Sequence, residues 1–558
     1  MSVSLSRALC ALKIKFKPAF LRSFTTKAAS PGTRLFEYAR GRFVLGEKEQ
    51  AHNHRVRVNM QELLRTAAKS VGAMRCIDVE ECPDGLYSKA LILTMDDETQ
   101  VVAKIPYPNV GVPYYTTASE VATMDFARNV LQTPAPQIYA WNASIDPKKN
   151  PVGAEFIVME KMAGVPLSDV WCDLKPDQKV KVCVQIIGFM KRWTNVHFPA
   201  IGSLYYAETI SKSSKNSLYF DGNDSVRNSR FAVGPSSNRD WSDEGRRDIQ
   251  CDKGPWMSVL DYRKAIYNRE MLAVKNIRHI PKQLAMLYGP PPLYEPTVAK
   301  KLQALRWYTQ IVELLLPSDP SLLTSHVWHN DLHHENIFID PHSLQILGII
   351  DWQSVQITPL TDHCLDPSFL DYEGPDVGDN LERPEVPADM KFLQGEERTA
   401  ALKYFTDKVL MIAWRILARD KNPAQHRAIR FQQSACGNIL HLSRRIFEVG
   451  EAHFCALLLD LRDEWKNTGI SHFPIEFSEE QVMTIEEDVK KAEVGATIIK
   501  MIQQRLGDLW PEKGLIEAEN YNDTKSALRE IKENLINEYK SYPGWDPVIF
   551  ERLWPFDD

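Results

Sequence analysis

Twenty-five residues near the middle of the chain, Val327 to Asp351, constrain its fold more than any other stretch. They read VWHNDLHHENIFIDPHSLQILGIID. Two short apolar runs, Ile337 to Ile339 and Ile346 to Ile350, flank a turn of Asp340, Pro341, His342 and Ser343, a pattern that predicts a β-hairpin. Such a hairpin brings Asn336 and Asp351 to the same end, with Asp331 on the loop just before it.

Those residue types answer one chemical requirement. Transfer of a γ-phosphoryl group needs a carboxylate that orients the attacking hydroxyl and accepts its proton. It also needs hard oxygen ligands that fix Mg²⁺ across the nucleotide phosphates. Asp331 suits the first role, and Asn336 with Asp351 the second. The run His329-x-Asp331-x-x-x-x-Asn336, followed by a strand-borne Asp351, has the spacing of a kinase catalytic loop and its metal-binding Asp. A zinc hydrolase built from His329, Asp331, His333 and His334 is disfavoured, because the H-E-x-x-H helix register is absent and Asn336 and Asp351 would be left unexplained.

Upstream, Arg57 to Val71 reads as an amphipathic helix. The runs Ser88 to Thr94 and Gln100 to Ile105, separated by Asp96, Asp97 and Glu98, read as an antiparallel hairpin. A helix capped by Thr117 or Ser119 follows, with Glu120 in its first turn and Val121, Met124 and Leu131 on its buried face. The strand Glu155 to Glu160 runs into the breaker Gly164-Val165-Pro166. Beyond it Val182, Ile186, Phe189 and Trp193 mark a long helix, and Leu302, Leu305, Val312 and Leu315 another. Residues Ser211 to Ser242, rich in Ser, Asn, Asp and Gly, read as an inserted polar loop. After Pro375 an acidic, Pro-containing connector leads into helices that include Ala400 to Leu417 and Asp523 to Tyr539.

Composition excludes several classes. At 558 residues the chain exceeds the roughly 250 to 300 at which one core stops growing, so two or more packed units are expected. A net charge of −6 is not that of a chain built to coat nucleic acid. The most apolar runs, Val409 to Ala413 and Ala456 to Leu459, are too short for a membrane span. Nine scattered cysteines without a C-x-x-C pair fit reduced thiols. Met1 to Phe36 contains no Asp or Glu but seven Lys or Arg among Leu, Ile, Phe, Ser and Thr, the composition of a mitochondrial presequence, with removal expected after Arg22.

His329-Asn330-Asp331, Asn336 and Ile350-Asp351-Trp352 together resemble the signature of the aminoglycoside phosphotransferase superfamily. SEVATM at 119 to 124, GPW at 254 to 256 and GIIDWQS at 348 to 354 resemble its fungal mitochondrial branch. The resemblance covers roughly Phe43 to Pro375. It implies an α+β, two-lobed, protein-kinase-like fold with ATP in the cleft and a small-molecule hydroxyl as acceptor. It also implies that Lys104 contacts nucleotide phosphates, that Glu120 pairs with it, and that Met159 to Met162, including Glu160 and Met162, form the hinge that meets adenine. On the same basis Gly85 lies in the phosphate-covering loop, Asp331 is the catalytic base and His329 organises its loop. The expected division is a targeting segment over 1–35, a small lobe over 36–160, a large lobe over 161–399 carrying an insertion at 211–256, and a helical extension over 400–558.

Two departures from the family pattern stand out. Asn330 replaces the Gly before the catalytic Asp, and the loop Asp84 to Ser88 has Gly85 alone. A glycine-poor loop has backbone amides less free to approach anions. The alternative reading is therefore a pseudokinase-like module that binds nucleotide and offers its helical tail to a protein partner. No A-P-E element follows Asp351, which disfavours protein-kinase specificity.

Overall fold

Alternation of apolar and polar side chains builds the sheet of the small lobe. Ser88–Met95 buries every second residue, and its neighbour Gln100–Pro106 is almost wholly buried at its end, as expected for an inner strand covered on both faces. The computed structural model describes residues 38 and 40–556 except 212–217, 279–293, 466–471, 512–513 and 544; the expected targeting segment lies outside the described residues.

Five strands, β1 (Cys76–Glu81), β2 (Ser88–Met95), β3 (Gln100–Pro106), β4 (Ile138–Asn142) and β5 (Phe156–Glu160), form one antiparallel sheet in the order β1-β2-β3-β5-β4. The predicted hairpin is β2 and β3, with Glu98 in the left-handed region of its turn. Helix α1 (Met60–Val71) begins three residues later than Arg57, because Asn59 accepts a hydrogen bond from Glu62 N and caps it there. Helix α2 (Tyr115–Asn129) corrects an expectation: Thr117 and Ser119 lie inside it rather than at its cap. The cap comes from a distant residue. Glu155 accepts from Tyr114 N at 2.9 Å and from Thr117 Oγ1 at 2.5 Å, placing a buried carboxylate at the positive end of the helix.

Beyond β5, Val165–Pro166 pairs with Phe338–Ile339 and so stitches the connection between lobes to the hairpin that carries Asn336. Helix α3 (Pro176–Asn195) buries Val182, Ile186 and Trp193 as its periodicity predicts. The hairpin itself forms as strands β6 (Ile337–Ile339) and β7 (Ile346–Ile349). Asp340 Oδ1 closes its turn by accepting from His342 N and Ser343 N.

Within the segment read as a polar loop over 211–242, residues 218–234 form strands instead. Leu218–Asp221, Asp224–Arg227 and Phe231–Gly234 are strands; the first pairs with Val196–His197 and the last with Ser203–Tyr206. Tyr219, Phe231, Ala232 and Val233 are buried, enough apolar surface to fix a ribbon whose intervening residues are hydrophilic.

Helices dominate after 395. Gly395–Lys421 packs on α3, and residues of Val298–Ile311, 439–461 and 475–485 share a second core. A third core gathers Ile498, Ile502 and Leu506 with Leu528, Ile531, Leu535, Phe550 and Trp554. It also takes in Val44, because Arg42–Phe43 pairs antiparallel with Leu515–Ile516. No helix among the described residues is long and apolar enough to cross a membrane, and every described cysteine is free.

Candidate functional site

Three tryptophans clamp the loop over 329–336 to the large lobe. Trp328 precedes His329 and Trp352 follows Asp351; both rings meet Trp193 of α3 edge-on, at 5.2 and 5.7 Å between centroids. All three are fully buried. Each such aromatic pair adds about 0.5 to 1.5 kcal/mol beyond the burial of its area. The loop and the end of β7 are therefore fixed against one helix.

On that base the hairpin register does what its sequence predicts. Ile337 faces Ile349, and Ile350 N donates to Asn336 O at 2.9 Å, so Asn336 and Asp351 stand at one end. Asn336 Nδ2 donates to Asp331 O at 2.9 Å, which ties the loop to the hairpin without engaging the amide oxygen. Asp331 is 69% exposed, with His333 Nε2 at 3.7 Å. Its carboxylate is open to an incoming group.

Lys104, on β3, joins the lobes. Its Nζ donates to Glu120 Oε1 of α2 at 2.6 Å and to Asp351 Oδ1 at 2.6 Å. The lysine and the glutamate are buried, whereas the Asp351 side chain is 39% exposed and so still reaches the cleft. Burial works against the charge on Lys104, but Asp351 and then Glu120 overcome it and raise its pKa above the ordinary value. Burial also opposes ionisation of Asp351, and there Lys104 wins, lowering the carboxyl's pKa. For Glu120 burial dominates and its pKa is raised despite Lys104. Asp351 has φ of 62°, a left-handed conformation that costs a non-glycine residue on the order of 1 kcal/mol or more. Ile350 N on Asn336 O and Trp352 Nε1 on Ile349 O, at 2.9 and 2.8 Å, hold the backbone on either side of it.

His329 lies under the loop. Its Nε2 contacts Ile350 O at 2.8 Å, its ring meets Trp352 edge-on at 4.8 Å, and burial pushes its pKa down. A neutral ring wedged there sets backbone position. Asn330, the departure from the family pattern, serves as a brace. Its Oδ1 accepts from Cys364 N at 2.9 Å and lies 3.3 Å from His363 Nδ1. His363 in turn stacks on Trp328.

The remaining predicted residues are placed differently. Gly85 lies in the loop between β1 and β2, where Gly85 N donates to Ser88 O at 3.1 Å. Glu160 ends β5, and its carboxylate binds Arg128 at 2.8 Å and Gln137 N at 3.0 Å, so the side chain braces the β4 corner, while the expected adenine contact is one of hinge backbone groups. Met162 packs over Gly348 of β7; a Cβ at Gly348 would lie 2.6 Å from Met162 Cε.

Residues of the insertion reach the cleft without any motif to mark them. The Arg239 guanidinium sits 3.7 Å from the centre of the Tyr87 ring and donates to Asp243 at 2.6 Å, while the field of Asp331 reaches Tyr87. Asn238 donates to Ser354 O at 3.3 Å, and Arg247 donates to Pro108 O and Gly111 O at 2.8 Å. The insertion thus bridges both lobes at the mouth of the cleft. Its polar composition does not signal this, because partners such as Arg247 and Pro108, 139 positions apart, meet only in the fold.

Comparison with known proteins gives this arrangement a lineage. The family described as phosphotransferase enzyme family matches residues 78–361. A subtelomeric hrmA-associated cluster protein of Aspergillus fumigatus is 25% identical over 517 residues, covering 87% of this chain and 97% of that one. Altered inheritance of mitochondria protein 9, mitochondrial, from Lachancea thermotolerans is 25% identical over 323 residues, covering 53% of this chain and 50% of its own length. A streptomycin-ATP-APH(2")-IIa ternary complex overlaps 71% of this chain and 95% of its own at 12% identity, a loose overlap with a TM-score of 0.33. The family match runs from within β1 through β7 and takes in every predicted site residue from Gly85 to Asp351. With that match over half of its length, the chain belongs to the phosphotransferase enzyme family.

Proposed function

We propose that the protein transfers the γ-phosphoryl group of ATP, in an Mg²⁺-dependent reaction, to a hydroxyl of a small molecule. The observation that carries this reading is the Lys104 ammonium held at 2.6 Å from both Glu120 and Asp351, beside an exposed Asp331. A merely structural ion pair has no need of a further carboxylate open to the cleft.

The donor set fits a magnesium ion. Asn336 offers an amide oxygen whose own nitrogen is already committed, and Asp351 offers the oxygen that Lys104 does not hold. Two protein oxygens suit an ion that keeps several waters and takes its other ligands from nucleotide phosphates. When bound there, Mg²⁺ would neutralise charge on the transferring phosphoryl group. Asp331 accepts the proton of the acceptor hydroxyl as its oxygen bonds to γ-phosphorus, and ADP departs with the bridging oxygen. Lys104 supplies a fixed positive charge for the phosphates, and Glu120 holds it in place. Relatives named as mitochondrial, together with the acid-free first 36 residues, support action in mitochondria.

Label transfer from γ-labelled ATP into a mitochondrial metabolite extract, with and without Mg²⁺, tests this reading. Asp331→Asn should lower transfer by about 10²- to 10⁴-fold, the usual worth of a general base, while leaving ATP binding intact. Normal turnover by that variant would end the assignment. Nucleotide binding without any transfer by the wild-type protein would favour the scaffold alternative.

A further inference from the structure

The loop Asp84 to Ser88 is poor in glycine, yet it is tied down from behind by a run of side chains. Lys89, wholly buried, binds Asp84 at 2.8 Å, and Tyr107 Oη donates to the same Asp84 carboxylate at 3.1 Å. Leu86 O lies 3.0 Å from His54 Nε2 and 3.2 Å from Asn109 Nδ2, and Asn109 Nδ2 is itself 3.2 Å from His54 Nε2. In either neutral tautomer of His54 this carbonyl receives an N–H, from the imidazole or from Asn109, whose second proton then goes to the ring. His54 Nδ1 lies 2.7 Å from Gln50 O and donates to it only in the tautomer that leaves Nε2 bare, in which Asn109 supplies the N–H to Leu86 O.

His54 does not stand alone. Its ring is enclosed by Tyr38, Phe43 and Tyr107, with centroids 4.8, 4.7 and 5.4 Å away, and it is 2% exposed. Phe43 belongs to the short strand that pairs with Leu515–Ile516. Around that pairing Val44 N donates to Gly514 O at 2.8 Å, Lys525 Nζ reaches Val44 O at 3.2 Å, and the Arg42 guanidinium lies 3.6 Å from the centre of the Tyr521 ring. A continuous set of contacts therefore runs from the helices after 498, through residues 42–54, to the backbone of the loop.

We infer that His54 is a positioning residue for the loop that covers the phosphates, and that the C-terminal helices act on the site through it. The loop role rests on the phosphotransfer reading; the bracing itself does not. A loop short of glycine gains few close backbone approaches to an anion, so its affinity depends on being held in one place. Segments with few contacts open locally at low free energy, and the braces close that route. This gives the helical part, which carries no site residue, a part in nucleotide binding.

Hydrogen exchange on the nucleotide-free, full-length protein separates the two claims. His54→Ala should raise exchange of amides 85–88 by about five- to tenfold, the effect of about one lost net hydrogen bond, while amides 331–336 keep their rate. The KM for Mg·ATP should rise by a similar factor with kcat within about twofold, and His54→Gln, which can still donate to Leu86 O, should recover most of the loss. If His54→Ala does not fold, Asn109→Ala removes the second donor and should loosen the same amides. Arg42→Ala, at the far end of the strap, should loosen them in smaller measure. Unchanged exchange at 85–88 in the His54 and Asn109 variants overturns the bracing role, and unchanged exchange in Arg42→Ala overturns the link to the C-terminal helices. Should the wild-type protein bind no ATP, the phosphotransfer reading fails while the exchange result still stands or falls by itself.

Discussion

Lys104 is the residue on which the two lobes depend, because its ammonium is the cation between two carboxylates that burial alone would not tolerate. Replacing it with Met leaves Glu120 buried without a counter-charge, while Asp351, whose side chain is 39% exposed, falls back on solvent. Breaking a buried pair in this way costs about 3 to 5 kcal/mol. Urea unfolding of Lys104→Met should show a loss of that order and a raised KM for ATP; a midpoint equal to wild type would contradict the geometry. Asp331, Asn336 and Asp351 are picked out by their spacing around a hairpin that carries a periodic signal, whereas Lys104 and Glu120 are singled out only through the resemblance to the family. The direct bond from Lys104 to Asp351 is not legible, because it joins residues 247 positions apart. Neither is the left-handed backbone at Asp351, which no glycine announces.

At the level of elements, the segment after β5 and the β6-β7 hairpin are joined by a two-residue pairing that only glycine permits. Gly164 has φ of 84°, and a Cβ there would come 2.3 Å from Ile339 O and 2.8 Å from its carbonyl carbon. Gly164→Ala should therefore destabilise by about 2 kcal/mol or more, combining left-handed strain with displacement of backbone, as calorimetry would read. An unchanged Tm would mean that this pairing does not matter. The insertion offers a second test. Arg239→Ala removes the cation from Tyr87 and should raise KM for nucleotide by about threefold to tenfold, the span of an interaction worth about 0.5 to 1.5 kcal/mol. Equal steady-state constants for the two proteins would deny the insertion any part at the cleft. The ribbon over 218–234 is hidden in the sequence because its exposed residues are turn formers, while Tyr219, Phe231 and Val233 supply too few apolar positions to stand out. The cap of α2 is hidden for a related reason: Glu155 lies 38 positions from Thr117 and 41 from Tyr114 and is adjacent only in the fold.

Over the whole molecule, burial of neutral imidazoles sets how stability responds to acid. Burial holds His326 at about 3 and His363 at about 4, and lowers His54, His329 and His453 as well. Each depressed pKa means that the unfolded chain binds a proton, near its ordinary value of 6.5, that the native state refuses until lower pH. Stability is thus lost as pH falls below about 6.5, by up to about 1.4 kcal/mol per pH unit for each such group. Burial also raises Glu244 and Glu451 to about 7, and these two act in the opposite sense, losing their contribution as pH rises through that value. With His197, His334, His426 and His441 also lowered, and Glu120, Glu155, Asp407 and Asp460 also raised, nine imidazoles stand against six carboxyls among the described residues, a net loss on acidification. Denaturant midpoints measured from about pH 6.5 down to about pH 5 should fall; a flat or rising profile would contradict the burial of these rings. The individual strands and helices are legible because β2, β3, β5, α3 and the β6-β7 hairpin each carry strong periodicity, whereas their two-lobed arrangement is read only through the resemblance to the family. The attachment of residues 42–44 to the last helices is not legible, since two-residue strands carry no periodicity. Phosphotransfer at this cleft stands or falls on a crystal soaked with Mn²⁺ and a non-hydrolysable ATP analogue. An anomalous peak is expected between the Asn336 amide oxygen and the Asp351 carboxylate, with Asp331 facing the γ-phosphate; a peak elsewhere, or none with nucleotide bound, would contradict the assignment.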